Sequence, residues 1–313
     1  MTSGQLAVAP TRRRLYWHTV LTLAILVAVG CLVRRHWPVL ETGALRLAVA
    51  DQGWLLTGAA AAAGTWLCAA LAQQGAVLRR LPRGRLVAAQ FAACAANHVL
   101  PAGLGSGAVV LRFLMRCGMP AGRSATAVAV KATAGAVTRA ALIVVLAAAC
   151  PGVLRIPPAW GAWALAGGLA LGVTALLAAR LWPRCRRSLG SVLADVRAVH
   201  ARPRRAAALW GGSLAFAVLH ALVLIAVTRA VGLPLAPALV ALLYLAASSA
   251  AALLPTPGNL GSLDAALALA LAAAGAPAAA AASAVLGYRL LTVWIPLVPG
   301  LLVLGVLVRR RAV

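Results

Sequence analysis

Acid is what this chain has least of. Glu41, Asp51, Asp195 and Asp264 are its only carboxylate side chains, against 29 lysines and arginines, for a formal net charge of +25. Four carboxylates leave little material for general acid–base work. No HExxH, GxSxG, P-loop or close acid pair occurs, so an enzyme is not expected. The six cysteines (Cys31, Cys68, Cys94, Cys117, Cys150, Cys185) contain no CxxC pair, and the histidines show no ligand spacing. A zinc site, a disulfide framework and any metal or other cofactor are therefore not expected. Polar surface is short as well: 11% of residues are charged, 63% are hydrophobic, and the mean hydropathy is +0.95. That is too little to cover a soluble globule. The basic excess lies mainly between apolar segments, where it suits loops facing anionic lipid, and no soluble module carries a nucleic-acid-binding face.

What is present is a series of apolar runs. Residues 15–33 and 53–73 read as two spans, the first entered from the cytoplasm behind Arg12 to Arg14. Ala28-Val29-Gly30-Cys31 faintly resembles a lipoprotein cleavage box, but Arg34 and Arg35 follow directly and favour a start-anchor helix. Residues 86–100 number only 15, about 22 Å of helix, and residues 103–115 are fewer still. Both are too short to cross, so they read as a re-entrant hairpin. Residues 125–150, 159–182 and 206–231 supply spans three to five. Between spans four and five, residues 180–205 carry eight arginines and one acid, the strongest cytoplasmic signal in the chain. A second short pair, 238–254 and 262–274, reads as a second hairpin entered from outside. Residues 278–308 form a last, tilted span containing Pro296 and Pro299.

The expected fold is thus all-α and membrane-embedded: six full spans plus two re-entrant hairpins in an inverted repeat, with eight full spans as the alternative. Both termini are expected in the cytoplasm. One membrane domain covers residues 1–313, divided into an N-terminal pair of spans (1–85), a first repeat core (86–150), spans four and five with the basic loop (151–237), and a second repeat core with a basic tail (238–313).

Each hairpin turns at a knot of Pro and Gly. Leu254-Pro255-Thr256-Pro257-Gly258-Asn259-Leu260-Gly261-Ser262 is the tighter copy, and Leu100-Pro101-Ala102-Gly103-Leu104-Gly105-Ser106 the looser. Pro101, Pro255 and Pro257 are the helix breakers. A half-helix that starts inside the membrane presents free N–H groups and a positive dipole end, which attract anions. Gly103, Gly105 and Gly107 in the first knot, and Gly258 and Gly261 in the second, would let a phosphate oxygen approach the backbone, or would simply allow tight hairpin packing. Arg289, after Tyr288 in the last span, and Lys131 lie at nearly the same offset past Gly275 and Gly118. Intramembrane cations are expensive and point to an anionic ligand, with snorkelling or a contact to helix-end carbonyls as the plainer alternative. Arg112, on the half-helix after the first knot, would reach a headgroup or the inner interface. Asp264 would complement its helix dipole, pair with Arg289, or act as a gate. Asn97, His98, Thr256 and Asn259 are polar groups near the tips that would line a headgroup pocket.

Asn97 to Pro101 with Gly105, Arg112 and Gly118, and Leu254 to Gly258 with Leu260-Gly261, Asp264, Gly275 and Tyr288-Arg289-Leu290-Leu291, resemble the two motif blocks of the lysylphosphatidylglycerol synthase transmembrane-region family, also called flippase-like membrane proteins. The resemblance runs from about residue 86 onward. It implies an inverted-repeat membrane protein like the family's best-understood members, which move aminoacylated phosphatidylglycerol between leaflets, or like others associated with polyprenyl-phosphate-linked sugar and other envelope-lipid pathways. Three departures stand out. Asn259 replaces the usual second Gly of Pro-Gly-Gly, Asp264 stands where Glu is typical, and Lys131-Ala132 stands where an acid-plus-Arg pair is expected. No soluble aminoacyl-transferase domain is evident, so synthase activity should be missing. The expected function is a flippase-like transporter of an anionic or phosphate-linked lipid in the cell membrane. The alternative is a non-transporting accessory protein that binds lipid or a glycosyltransferase-type partner in envelope-lipid biosynthesis through its basic loop.

Overall fold

In the computed structural model residues 41, 45–99, 104–149, 194, 196–252 and 259–310 are described, and regular structure among them is helical throughout. Nine helices are given ranges among the described residues, in chain order. They are α1 (Gln52–Gly75), α2 (Arg83–Val99), α3 (Leu104–Arg116), α4 (Ala121–Ala149), α5 (Pro203–Ala230), α6 (Pro237–Ala251), α7 (Ser262–Ala273), α8 (Ala278–Arg289) and α9 (Ile295–Arg309). A π turn, Leu290–Trp294, joins α8 to α9. α1, α4, α5 and the continuous 32-residue run Ala278–Arg309 are each long and apolar enough to cross a bilayer. They match the expected second, third, fifth and last spans. Expected spans one and four lie outside the described residues, as do the centres of both knots (100–103 and 253–258), with Pro101, Pro255, Thr256, Pro257 and Gly258 among them.

The central seam is α1 against α5. A Cβ on Gly75 would lie 2.3 Å from the Leu209 nitrogen, and one on Gly212 would lie 2.6 Å from the Ala72 nitrogen. Gly58, near the other end of α1, faces Ala226. The two helices therefore run antiparallel with backbones in direct contact, which small residues alone permit. In lipid, where apolar burial gives helices little drive to associate, such close packing is a main source of cohesion.

Around this seam one order occurs twice: long helix, short antiparallel pair, long helix. The packing is reciprocal. α1 packs on α2 as α5 packs on α6; α3 meets α4 as α7 meets α8; and α9 covers α2 while α4 covers α6. The two short pairs even end alike. After α3 the N–H of Met119 reaches the carbonyl of Leu114 at 3.2 Å, and after α7 the N–H of Ala276 reaches that of Leu271 at 3.0 Å. The residues just before them, Gly118 and Gly275, have φ of +83° and +90°. This is the left-handed cap in which glycine avoids a Cβ clash, and a proline follows each as the next helix begins.

The hairpins have separate apolar cores. Phe113, Leu114 and Leu86 pack with Leu307 of α9 around the first, and Leu267, Leu271, Tyr244 and Val223 around the second. Gly300 lets α9 approach Ala95 of α2, where a Cβ would lie 2.8 Å from the alanine methyl. Pro296 and Pro299 remove two backbone donors from the last helix, and the π turn lies immediately before them, where the regular ladder is interrupted.

Candidate functional site

The second half closes on an ion pair. Arg289, at the end of α8, is 5% exposed. Its Nε donates to Asp264 Oδ1, and its Nη2 donates to the Asn259 carbonyl at 2.6 Å. Asp264 lies in the first turn of α7, and its second oxygen accepts from the Gly261 N–H at 2.9 Å. Both carboxylate oxygens are thus engaged, and the acid complements the dipole of its own helix. Backbone shape makes this possible: Asn259 has φ +55° and Gly261 φ +81°. Asparagine is one of the few residues with a side chain that visits this region readily, so Asn259 takes this backbone shape without a glycine. The arrangement is a latch between the start of α7 and the end of α8.

Tyr288 beside it is buried, and its hydroxyl lies 3.2 Å from that of Tyr244 on α6. The rings sit 5.6 Å apart. Arg139 and Arg289 are both within electrostatic reach of this tyrosine pair. His98, near the end of α2, is in turn within electrostatic reach of Arg289, so the last turn of α2 lies near the end of α8. Gly105 is spent on packing: a Cβ there would lie 2.2 Å from the Ala96 carbonyl oxygen across the hairpin. Gly261, by contrast, faces open space. Asn97 is half-buried, and Arg112 is exposed on α3, apart from the latch.

The first half is open where the second is closed. A cavity of about 360 Å³ lies among α1 to α5, lined by Gln73, Gln90, Ser106, Gly107, Lys131, Ala132, Arg139 and Ser213 with apolar neighbours. Lys131, the one lysine in the sequence, donates to Gln90 Oε1 at 2.7 Å. Gln73 is fully buried, and among the described residues neither of its amide atoms, nor Gln90 Nε2, nor Arg139 Nε, has a hydrogen-bond partner. The sequence reading missed Gln73, Gln90 and Tyr244. An amide inside an apolar run was the available signal for the glutamines, but Gln73 stands at the end of its run and reads as an interfacial residue. Tyr244 carried no distinguishing pattern.

Counting from the two cap glycines relates the regions. Asp264 stands eleven residues before Gly275, and Gly107 eleven before Gly118. Arg289 stands fourteen after Gly275, and Ala132 fourteen after Gly118. The first half therefore has glycine and alanine at the places of the latch, and both line the cavity.

Long apolar helices, paired short helices and a part-buried ion pair at a helix break define an integral membrane protein of the polytopic helical class. The chain belongs to the family described as Lysylphosphatidylglycerol synthase TM region, whose profile matches residues 19–300. The match is to the membrane region of such a synthase, a family associated with the flipping and modification of membrane lipid. A comparison with curated protein sequences finds no match.

Proposed function

We propose that the protein is a flippase-like transporter that carries an anionic or phosphate-linked lipid between leaflets. The carrying observation is the reciprocal packing of two like halves about an antiparallel α1–α5 seam, with His98 of the first half within electrostatic reach of Arg289 in the second. Helices of 17, 13, 15 and 12 residues are about 25, 20, 22 and 18 Å long, short of a core about 30 Å thick. They serve as re-entrant hairpins in an inverted repeat, with both termini cytoplasmic. Halves of this kind alternate access by rocking against each other.

In this mechanism the lipid phosphate competes with Asp264 and the Asn259 carbonyl for Arg289. Releasing the latch frees the start of α7, where the Gly261 N–H and the positive helix end would receive the anion. The π turn beside Arg289 and the two prolines after it supply the yielding point of the last span. Arg112, exposed on α3, meets the headgroup at the interface before entry.

The test is a leaflet-exposure assay on protein reconstituted in vesicles containing phosphatidylglycerol. Intact protein should accelerate exchange over empty vesicles, and Arg289→Ala should abolish the gain. Equal rates for intact and variant protein would sink the proposal.

A further inference from the structure

The open cavity of the first half sets a charge rule of its own. Its polar wall holds Lys131, Arg139, Gln73, Gln90 and Ser106, and no acid lines it among the described residues. Lys131 lies ten residues inside α4, about 15 Å of helix rise from its start, and Ser213 ten residues inside α5, so the cavity is deep in the membrane region. Two cations at such depth cost several kcal/mol unless paired. Arg289, the comparable cation of the second half, has a carboxylate. Lys131 has one neutral amide oxygen, and Arg139 Nε has no partner among the described residues.

The vacancy has a structural origin. The positions that correspond to Asp264 and Arg289 are Gly107 and Ala132, and neither carries a polar side chain. A Cβ on Gly107 would meet nothing within 4 Å. Even the neighbouring contact is retained in kind. Gln90 stands ten residues before Leu100 and Tyr244 ten before Leu254, while Lys131 and Tyr288 each stand thirteen after their cap glycine. Lys131 bonded to Gln90 thus occupies the place of Tyr288 bonded to Tyr244. The frame of the second half is repeated, its acid is gone, and the residues lining the space left include three with buried polar atoms that have no partner among the described residues.

We infer that this cavity is an anion-binding pocket that takes a phosphate group carrying no amine, with Lys131 and Arg139 as the charge pair and Gln73 and Gln90 as the amide donors beside them. A phosphate diester presents two acceptor oxygens to these donors. An aminoacylated or ethanolamine headgroup would bring a cation of its own beside two others with no carboxylate to receive it, and like charges in low dielectric repel strongly. The pocket therefore selects phosphatidylglycerol-like or polyprenyl-phosphate-like chemistry and rejects aminated headgroups. This inference rests on the transport reading for its place on a path between leaflets, though not for binding itself.

The experiment is lipid retention by the purified full chain. Nanodiscs would hold phosphatidylcholine with equal small shares of phosphatidylglycerol, its lysyl ester and phosphatidylethanolamine, and native mass spectrometry would read what stays bound. Phosphatidylglycerol should be retained over the two aminated lipids by about tenfold or more. Lys131→Gln with Arg139→Gln should remove that preference, and Lys131→Arg should keep it. Gln90→Glu, which sets a carboxylate beside Lys131, should reverse it toward the lysyl ester and guards against a variant that merely unfolds. Displacement of the lipid by millimolar inorganic phosphate would assign the pocket to a soluble anion of the same chemistry, and resistance to it would assign the lipid. Equal retention of all three lipids by the intact chain, or an unchanged preference in the double variant, overturns the inference. Selective retention without leaflet exchange would defeat transport and leave the pocket standing; exchange without selectivity would do the reverse.

Discussion

The two halves of this protein hold a cation at nearly the same place and treat it in opposite ways. In the second, Arg289 is 5% exposed and bound to a carboxylate that also caps α7. In the first, Lys131 meets an amide, and the space where the latch would lie is a cavity. The helix caps, the hairpin packing and the seam are common to both. The difference teaches that a repeated frame can keep its geometry while the charge inside it is reassigned, one copy to closure and the other to an open polar surface.

The largest effect should come from breaking what the halves share. Leucine at Gly75 or Gly212 would need room where a Cβ already lies 2.3 or 2.6 Å from a backbone nitrogen. The seam would have to open along its length, so no monodisperse folded protein should be recovered by size-exclusion chromatography. A normal elution profile would mean that the seam is not what holds the halves together.

Next comes the latch. Asp264→Ala leaves Arg289 buried and uncompensated, and breaking such a pair costs about 2–4 kcal/mol, toward the lower end here because the Asp264 side chain is 32% exposed. Lys131→Ala breaks no ion pair among the described residues and should cost well under about 1 kcal/mol. Unfolding in mixed detergent would rank the two, and a larger loss from Lys131→Ala would overturn the contrast. A sharper form grafts the latch: Gly107→Asp and Ala132→Arg together should fill the cavity and couple favourably by about 1–3 kcal/mol in a double-mutant cycle. Zero coupling would show that the two helix positions do not correspond in space.

Much of this was legible in the residues. The described spans and both short pairs follow from run lengths and breakers, while the partnership of Asp264 with Arg289 was one of three readings that the residues left open and the ion pair decides. The cavity was not. Gly107 could be read as one of several glycines open to a phosphate and Ala132 as a departure from an expected pair, but neither carries a side chain that marks a cavity, and their correspondence with Asp264 and Arg289 emerges only from the helix caps. Gln73 was unreadable for another reason: its burial depends on α5 crossing α1 at Gly212, a contact that lies far away in sequence. Gly105 could be read as an anion cradle or a packing residue, and only the approach of the Ala96 carbonyl decides for packing.

The smallest effect tests the neighbouring bond that the two halves share in position. Tyr288→Phe deletes one hydroxyl and leaves that of Tyr244 buried without its partner, for a loss of about 1 kcal/mol. Converting both tyrosines to phenylalanine removes donor and acceptor together and keeps the ring contact, so the pair should recover most of that loss. Lys131→Met behaves differently because it also removes a charge from the membrane interior. It should match or exceed the intact protein in stability even though Gln90 loses its partner. If Lys131→Met instead costs as much as Tyr288→Phe, the lysine is a structural member of the first half, and the contrast between an open and a closed half fails at the residue that defines it.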